Sequence, residues 1–172
     1  MSHIKTALII LQSLDGFIAK YQDDSLSWGS FEDKEHFRNM TKQIGVMIIG
    51  SNTYRKMPES AFDKRFTLVL TSNPGDFAEK ENIVFKDFSP KECLDYLEGL
   101  GYKQVAIAGG GKINNSFLRD GLVDEIYVTI GPKIFAGGIP SFGQHQIDKS
   151  LELLDYKKIT QNELLLHYKV LN

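Results

Sequence analysis

Short apolar runs recur along the whole chain and alternate with helical spacings of apolar residues. Residues 4–11 are almost continuously apolar, which is typical of a strand buried on both faces of a sheet. Similar runs predict further strands at 46–49, 67–70, 105–108 and 126–130, and a shorter one at 83–85. Alternation of such strands with helices predicts a mostly parallel sheet that has helices on both faces.

The end of the chain has a different pattern. The runs 151–159 and 163–171 are separated only by the polar residues Thr160, Gln161 and Asn162. Two strands joined by so short a polar segment are predicted to pair antiparallel and to close one edge of the sheet. The prediction is therefore a single α/β domain over residues 1–172, with an eight-stranded mixed sheet.

Helix-start signals lie between the predicted strands. Ser30 is followed three residues later by Asp33, a capping-box pattern, and apolar residues at helical spacing come after it. Ser89 opens a second capping box and has proline as its next residue. Shorter helices are predicted after Gly50 and after the three glycines at 109–111, so each of these glycine segments joins a strand to a helix.

Composition narrows the possible partners. The formal net charge is −2, which gives no electrostatic reason to bind nucleic acid or an anionic membrane. Cys93 is the only cysteine, and the four histidines lack metal-ligand spacing, so no metal site is predicted. The first apolar run is too short and too soon interrupted for a signal peptide or a membrane span, and a cytoplasmic protein is expected.

Two strand ends carry candidate ligand-binding chemistry. At 109–111 and at Gly50 a strand runs into glycine and then into a helix, where backbone amides favour an anion. The alternatives are simple tight turns and, at the second site, a helix capped by Ser51 or Asn52. The third glycine of a Rossmann fingerprint is absent, because Asn114 stands there. Two such ends in one small domain favour a pyrophosphate-binding site.

Asp33 is the candidate acid. It lies one turn into a helix, close in sequence to Trp28, the only tryptophan. Hydride addition to a C=N bond leaves a nitrogen that needs a proton, which a carboxyl group of raised pKa can supply. The alternative is that Asp33 only completes the capping box with Ser30. The segment 13–16 is predicted as a turn, and as the end of a central strand it is also a candidate lid over a nicotinamide.

The chain resembles the dihydrofolate reductase superfamily over nearly its whole length. The resemblance is carried by four segments in the order that the family has: VMIIGSNTYRKMP, TLVLTSNP, VAIAGGGKINNSFL and VDEIYVTIGPKIFAGGIPSF. The resemblance implies a dihydrofolate reductase-like fold, NADPH as cofactor and a cis peptide bond between Gly109 and Gly110. It also implies that Asp33 and Thr129 face the substrate ring. The cofactor groove would be lined by Gly50, Ser51, Thr53, Ser72, Gly109, Gly110, Gly111 and Ile113.

Two further segments, at 13–16 and 131–142, resemble the reductase domain of riboflavin biosynthesis. That branch implies an NADPH-dependent 5-amino-6-(5-phosphoribosylamino)uracil reductase that opens a ribose to ribityl, and it implies a homodimer. Dihydrofolate reductase and a nucleotide-binding module without catalysis stay open as alternatives. One departure concerns the cofactor: the family usually has a basic residue where Ser51 stands, near the 2′-phosphate of NADPH. Ser72 and Asn73 offer only neutral hydrogen bonds to that group, which predicts weak discrimination against NADH.

Overall fold

The computed structural model describes residues 3–171, and eight of its strands form one mixed sheet. In chain order the elements are β1 (Lys5–Gln12), β2 (Phe17–Ala19), α1 (Phe31–Ile44), β3 (Val46–Gly50), α2 (Ser51–Lys56), β4 (Phe66–Leu70), β5 (Ile83–Lys86), α3 (Pro90–Gly99), β6 (Gln104–Ile107), α4 (Gly111–Arg119), β7 (Glu125–Ile130), β8 (Ile139–Pro140), β9 (Ser150–Lys158) and β10 (Leu164–Leu171). Each predicted strand is present, with bounds within one residue of those expected.

The sheet has the order β5-β4-β3-β6-β1-β7-β10-β9. The six strands from β5 to β7 run parallel, and β10 and β9 form the antiparallel edge, as the sequence predicted. The carboxyl ends of the parallel strands therefore lie along one edge of the sheet. In open sheets of this kind, ligands bind at that edge.

Alternate residues of the central strands enter two separate cores. On β3, Val46 and Ile48 belong to the cluster that packs against α3 and α4, whereas Met47 and Ile49 belong to the cluster beneath α1 and α2. Side chains alternate between the faces of a strand, so a strand covered on both faces must be apolar throughout. This burial explains why the strand pattern was continuous rather than alternating.

Two of the helices begin as predicted, and one does not. Ser30 and Ser89 are the N-cap residues of α1 and α3, and Ser89 forms a complete capping box with Glu92. The alternative that Ser51 or Asn52 caps α2 is wrong, because Gly50 is the N-cap residue and no side chain caps that helix. The polar side chains of this segment are left available for other contacts.

A second, two-stranded sheet pairs β2 with β8 over the carboxyl edge of the main sheet. It had no counterpart in the sequence prediction, since its strands have only three and two residues. None of the helices within residues 3–171 has the length and apolar character needed to cross a membrane.

Candidate active site

The two glycine-ended strands meet at the carboxyl edge. The amide of Gly50, at the end of β3, donates a hydrogen bond to the carbonyl of Gly109 at 2.8 Å. The peptide bond between Gly109 and Gly110 is cis, as the family resemblance implied, and Gly109 has a φ of +90°, which favours glycine. The turn after β6 and the turn after β3 thus form one continuous backbone surface.

Gly110 and Gly111 differ in the room that each leaves for a side chain. A Cβ atom at Gly111 would lie 2.1 Å from the carbonyl oxygen of Pro140 in β8, so the backbone of β8 leaves no room for a side chain there. A Cβ at Gly110 would meet only Thr53 Oγ1 at 3.6 Å and an Ile18 methyl at 3.8 Å, which are ordinary contacts. Thr53 and Ile18 therefore border the Cβ position of Gly110, and the space between them is called the cradle below.

The two helices that follow these turns begin without side-chain caps. Gly50 and Gly110 are the N-cap residues of α2 and α4, and neither helix has an acidic residue in its first turn. The first amide groups of a helix lack intrahelical partners and favour negative charge. Both helix starts lie at the carboxyl edge, where these amides suit the phosphates of a dinucleotide.

The remaining predicted cofactor residues are near this surface. Ser51 and Thr53 lie in the first turn of α2, and Ile113 of α4 packs beneath Gly50, within 3.2 Å of where its Cβ would lie. Ser72 is exposed on the loop after β4, the neighbour of β3, and accepts a hydrogen bond from Asn73. All eight predicted cofactor residues therefore lie at or just after the ends of three adjacent strands, β4, β3 and β6.

Asp33 lies on the opposite side of β1 from these turns and is buried. Its backbone amide donates to Ser30 Oγ at 3.0 Å, so Ser30 forms its half of the predicted capping box. The carboxyl group instead faces Thr129 on β7 and passes close to Gly29, where a Cβ would lie 3.4 Å from Asp33 Oδ2. The structure therefore brings Asp33 and Thr129 together.

The surroundings of Asp33 favour its protonated form. Burial raises the pKa of the Asp33 carboxyl from 3.8 to about 6, the neighbouring charge of Glu163 adds to the rise, and the Thr129 hydroxyl and Lys34 only partly oppose it. The Thr129 hydroxyl is itself buried and has no hydrogen bond of ordinary geometry within the described residues. Such a group is available to orient a ligand.

Glu163 is a buried carboxylate that the sequence analysis missed. It directly precedes β10, and its Oε2 accepts a short hydrogen bond from the Ser30 hydroxyl. Ser30 thus links Glu163 to the first turn of α1, which carries Asp33. In the sequence, Glu163 is a single acid at the start of an otherwise apolar run, a pattern that is typical of an ordinary strand end.

Trp28 closes this side of the site. Its indole Nε1 donates to the carbonyl of Ile18 at 3.1 Å, and its ring packs edge-on against Phe135 with centroids 5.2 Å apart. Gly131, just after β7, has no room for a Cβ because the Trp28 ring would be 2.5 Å away. The tryptophan therefore fixes the ends of β2 and β7 next to Asp33.

The segment 13–16 forms the predicted turn and is held in place. Ser13 Oγ donates to Asp15 at 2.7 Å, and the amides of Phe135 and Ala136 donate to the same carboxylate at 3.1 and 2.7 Å. These bonds lower the pKa of Asp15 and join the loop after β1 to the loop after β7. The predicted lid position is thus occupied by two loops tied together through Asp15.

Three basic residues near α2 in sequence separate in space. Arg55 lies over the Phe77 ring at 4.8 Å, near the loop that carries Ser72, and Lys56 donates to the carbonyl of Gln22. Arg65 is buried and donates to Thr41 near the end of α1, at the opposite edge of the sheet. Of the three, Arg55 is the cation placed beside the predicted cofactor groove.

A groove of about 760 Å³ adjoins the site on its outer side. It lies between the loop after β7 and the turn between β9 and β10, and it shares Leu14, Gly131 and Glu163 with the site. Asp33 and the glycine turns do not line it. Within residues 3–171, no group of three or more His, Cys, Asp or Glu side chains is arranged to hold a metal ion.

Comparison with known proteins agrees with this architecture. The family model for the RibD C-terminal domain matches residues 57–165. The uncharacterized protein YwjB of Bacillus subtilis is 28% identical over 171 residues, which cover 95% of this chain and 97% of that protein. The riboflavin biosynthesis protein RibD of Aquifex aeolicus is 32% identical over 114 residues, 60% of this chain but only 32% of that longer protein.

Solved structures share the fold. A diaminohydroxyphosphoribosylaminopyrimidine deaminase/5-amino-6-(5-phosphoribosylamino)uracil reductase from Thermotoga maritima superposes with a TM-score of 0.78 at 16% identity, covering 98% of this chain and 57% of that one. Dihydrofolate reductase from Enterococcus faecalis superposes with a TM-score of 0.70 at 21% identity, covering 99% and 98%. The fold is therefore dihydrofolate reductase-like, as the sequence resemblance implied.

Proposed function

Because this chain belongs to the RibD C-terminal domain family, we propose that it is an NADPH-dependent reductase of a ribosylamino-pyrimidine phosphate. The reaction class is that of 5-amino-6-(5-phosphoribosylamino)uracil reductase. The observation that carries the proposal is the position of Asp33, a buried acid of raised pKa, at the same sheet edge as two uncapped, glycine-ended helix starts.

The chain has a place for the cofactor. The amides at the starts of α2 and α4 would hold the pyrophosphate, and Gly110 leaves its cradle free between Thr53 and Ile18. Ser51 and Ser72 would lie toward the 2′-phosphate, with Arg55 as the nearby cation. NADPH, when bound, supplies a hydride.

The residues at Asp33 suit the protonation that accompanies such a reduction. The pKa of the Asp33 carboxyl is about 6, so at lower pH the carboxyl carries the proton that a substrate nitrogen needs. Thr129 lies beside it with a buried hydroxyl that has no hydrogen bond of ordinary geometry within the described residues and can orient a polar ring edge. Burial of the carboxyl, which passes close to Gly29, limits access of water to it and keeps its pKa raised.

The choice of substrate rests on family membership rather than on a contact between the site residues and a substrate. The relatives include the riboflavin biosynthesis protein RibD of Aquifex aeolicus, and the Thermotoga maritima structure is named for reduction of the phosphoribosylamino-uracil. They also include a bifunctional dihydrofolate reductase-thymidylate synthase of Acanthamoeba polyphaga mimivirus, which is 26% identical over 123 residues. Dihydrofolate is the alternative substrate, and a module that binds the nucleotide without catalysis is the alternative from another class. We include in the proposal a homodimer, which the resemblance to the riboflavin branch implied.

One assay separates these possibilities. NADPH oxidation at 340 nm is measured with 5-amino-6-(5-phosphoribosylamino)uracil and with dihydrofolate in parallel, and the products are identified by mass spectrometry. We expect turnover of the pyrimidine only. Turnover of dihydrofolate would move the protein to the other branch, and cofactor binding without turnover of either compound would support the non-catalytic alternative.

A further inference from the structure

Asn114 is a buried polar residue to which the proposed function assigns no role. It lies in the first turns of α4, at the position where a Rossmann fingerprint would have glycine, and it is 0% exposed. Burial of an amide side chain is unfavourable unless its polar atoms are hydrogen-bonded. An apolar residue of similar size would avoid this cost, so asparagine at this position needs a specific reason.

Asn114 joins the glycine turn to the end of β8. Its side-chain Nδ2 donates a hydrogen bond to the carbonyl oxygen of Ser141, just after β8, at 2.8 Å. Its backbone amide donates to the carbonyl oxygen of Gly110 at 3.0 Å, and its side-chain amide group lies 4.0 Å from where a Cβ of Gly109 would be. One residue therefore contacts both the cofactor turn and the chain that follows β8.

Ser141 continues this link to the loop after β1. Its backbone amide and its hydroxyl both donate to the carbonyl oxygen of Gly16, each at 3.0 Å. Gly16 belongs to the segment 13–16, which the sequence analysis identified as a candidate lid over a nicotinamide. Ser141 is only 1% exposed, so water does not compete for these bonds. Asn114, Ser141 and Gly16 thus form a buried link between the cofactor turn and this segment.

The other polar atom of the Asn114 side chain lowers stability. The Oδ1 atom is buried and has no hydrogen-bond partner within residues 3–171. The orientation of the amide group is fixed, because only its nitrogen can donate to the Ser141 carbonyl. A buried acceptor without a partner is unfavourable, so asparagine is not the most stable choice here. Residues that oppose stability in this way are expected at functional sites.

We propose that Asn114 is a positioning residue, which holds the segment 13–16 at a fixed distance from the cofactor turn through Ser141. The inference rests on the proposed function, because the turn and the segment would then flank the nicotinamide. Misplacement of reacting groups by about 1 Å can cost about 10²-fold in rate. The helix-start amides that favour the pyrophosphate do not come from the Asn114 side chain, so the effect falls on turnover rather than on cofactor affinity.

Asn114→Leu tests the link, and Asn115→Leu is its matched control. Asn115 is 2% exposed, and its Nδ2 donates to the carbonyl oxygens of Phe142 and His145 at 2.7 and 2.8 Å. The control therefore removes two hydrogen bonds to the same loop, whereas Asn114→Leu removes one together with the unpartnered acceptor. A purely structural role predicts the larger losses of stability and turnover in the control.

Three quantities are measured for each variant. They are kcat with the substrate that wild type turns over, the Kd of NADPH from Trp28 fluorescence, and hydrogen exchange of the Gly16 and Ser141 amides by NMR. We expect Asn114→Leu to lower kcat roughly 10- to 100-fold with a Kd within about threefold of wild type. Exchange at both amides should be at least about tenfold faster. Asn115→Leu should keep the wild-type kcat and the wild-type exchange at these amides.

Ser141→Ala follows the link one step further, because it removes only the hydroxyl bond to Gly16. We expect it to lower kcat in the wild-type background and to add little to Asn114→Leu, since residues that act through one link are not additive. If Asn114→Leu does not fold, Ser141→Ala carries the test alone. Wild-type kcat and wild-type exchange at Gly16 in Ser141→Ala would then overturn the proposal.

Other results also decide against this role. Unchanged kcat and exchange in folded Asn114→Leu, or equal losses in Asn115→Leu, would overturn the proposal. A loss of NADPH affinity as large as the loss of kcat would overturn it too, because Asn114 would then act on the cofactor turn alone. If wild type turns over neither substrate, the proposed function fails, whereas the exchange comparison still decides whether Asn114 holds the segment 13–16.

Discussion

The Ser30 hydroxyl donates a hydrogen bond to the Glu163 carboxylate across 133 positions of sequence. The same hydroxyl oxygen accepts the backbone amide of Asp33. One serine therefore caps helix α1 and also joins its first turn to the start of β10. Two buried acids, Asp33 and Glu163, are brought to the same region by this link, and Glu163 helps to keep Asp33 protonated.

The first prediction concerns Asp33 in catalysis. Asp33→Asn removes the exchangeable carboxyl proton, and we expect turnover to fall roughly 10²–10⁴-fold with little change in NADPH affinity. Ser30→Ala is the control, because it removes the helix cap and the hydrogen bond to Glu163 but leaves the acid. Equal losses of turnover in the two variants would favour a capping role for Asp33.

Asp33→Asn is predicted to lower turnover but to raise the stability of the fold at neutral pH. Because the pKa of Asp33 is about 6 in the folded protein and 3.8 when exposed, the free energy of unfolding falls as pH rises between these values. At neutral pH, Asp33→Asn should therefore stabilise the fold, by at most about 3 kcal/mol, with no gain at pH 4.

Urea denaturation of wild type and variant at both pH values measures this difference. If Asp33 served only as the partner of Ser30 in a capping box, the substitution would instead cost up to about 1 kcal/mol at neutral pH. The sign of the change at neutral pH thus separates the two roles without any substrate.

Glu163 is predicted to control the pH dependence of turnover. Turnover should be highest where Asp33 is protonated and should decline as pH rises through about 6. Glu163→Gln removes a neighbouring negative charge, so the pKa of Asp33 falls and the decline should move to lower pH. The pH profile of kcat for the two proteins measures the shift; coincident profiles would show that Glu163 acts only through packing.

Gly110 is predicted to be essential for cofactor binding rather than for folding. Its Cβ position has only ordinary contacts with Thr53 and Ile18, but a valine side chain would fill the cradle between them. We expect Gly110→Val to abolish quenching of the Trp28 fluorescence by NADPH. Gly99→Val, where a Cβ meets nothing within 4 Å, is the control; normal NADPH binding by folded Gly110→Val would assign the glycine turn a purely structural role.

Cofactor discrimination follows from the neutral side chains at the groove. Ser51→Arg should raise the preference for NADPH over NADH, since charge-assisted hydrogen bonds are roughly twice as strong as neutral ones. The ratio of kcat/KM for the two cofactors measures this. If wild type already rejects NADH by several orders of magnitude, Arg55 is the cation to test, and Arg55→Ala should then remove the preference.

The sequence carried most of the information about the sheet and the helix starts. Buried strands were recognisable as continuous apolar runs, and Ser30 and Ser89 marked helix starts because a cap is a local interaction. The contact between Ser30 and Glu163 was not predictable, because nothing local distinguishes a buried glutamate from one that begins an exposed strand. The β2–β8 pair was too short to leave a periodic signal.

The candidate site was only partly derivable from residue patterns. The glycine turns at Gly50 and 109–111 followed from strand–glycine–helix order, whereas the approach of Thr129 to Asp33 followed only from family resemblance. The capping of α2 by Ser51 or Asn52 was wrong because both side chains lie within the helix, after a glycine that serves as N-cap. Short polar residues after a strand fit both roles, and only the backbone geometry separates them.

Transfer of hydride from the cofactor to the pyrimidine is the central claim, and isotope transfer measures it directly. NADPH that carries deuterium at both C4 positions of its nicotinamide is incubated with the protein and 5-amino-6-(5-phosphoribosylamino)uracil, and the pyrimidine product is analysed by mass spectrometry. The account predicts a ribitylamino product that carries deuterium, formed by wild type and strongly diminished in Asp33→Asn. An unlabelled product, or no consumption of NADPH by folded wild type, would contradict it.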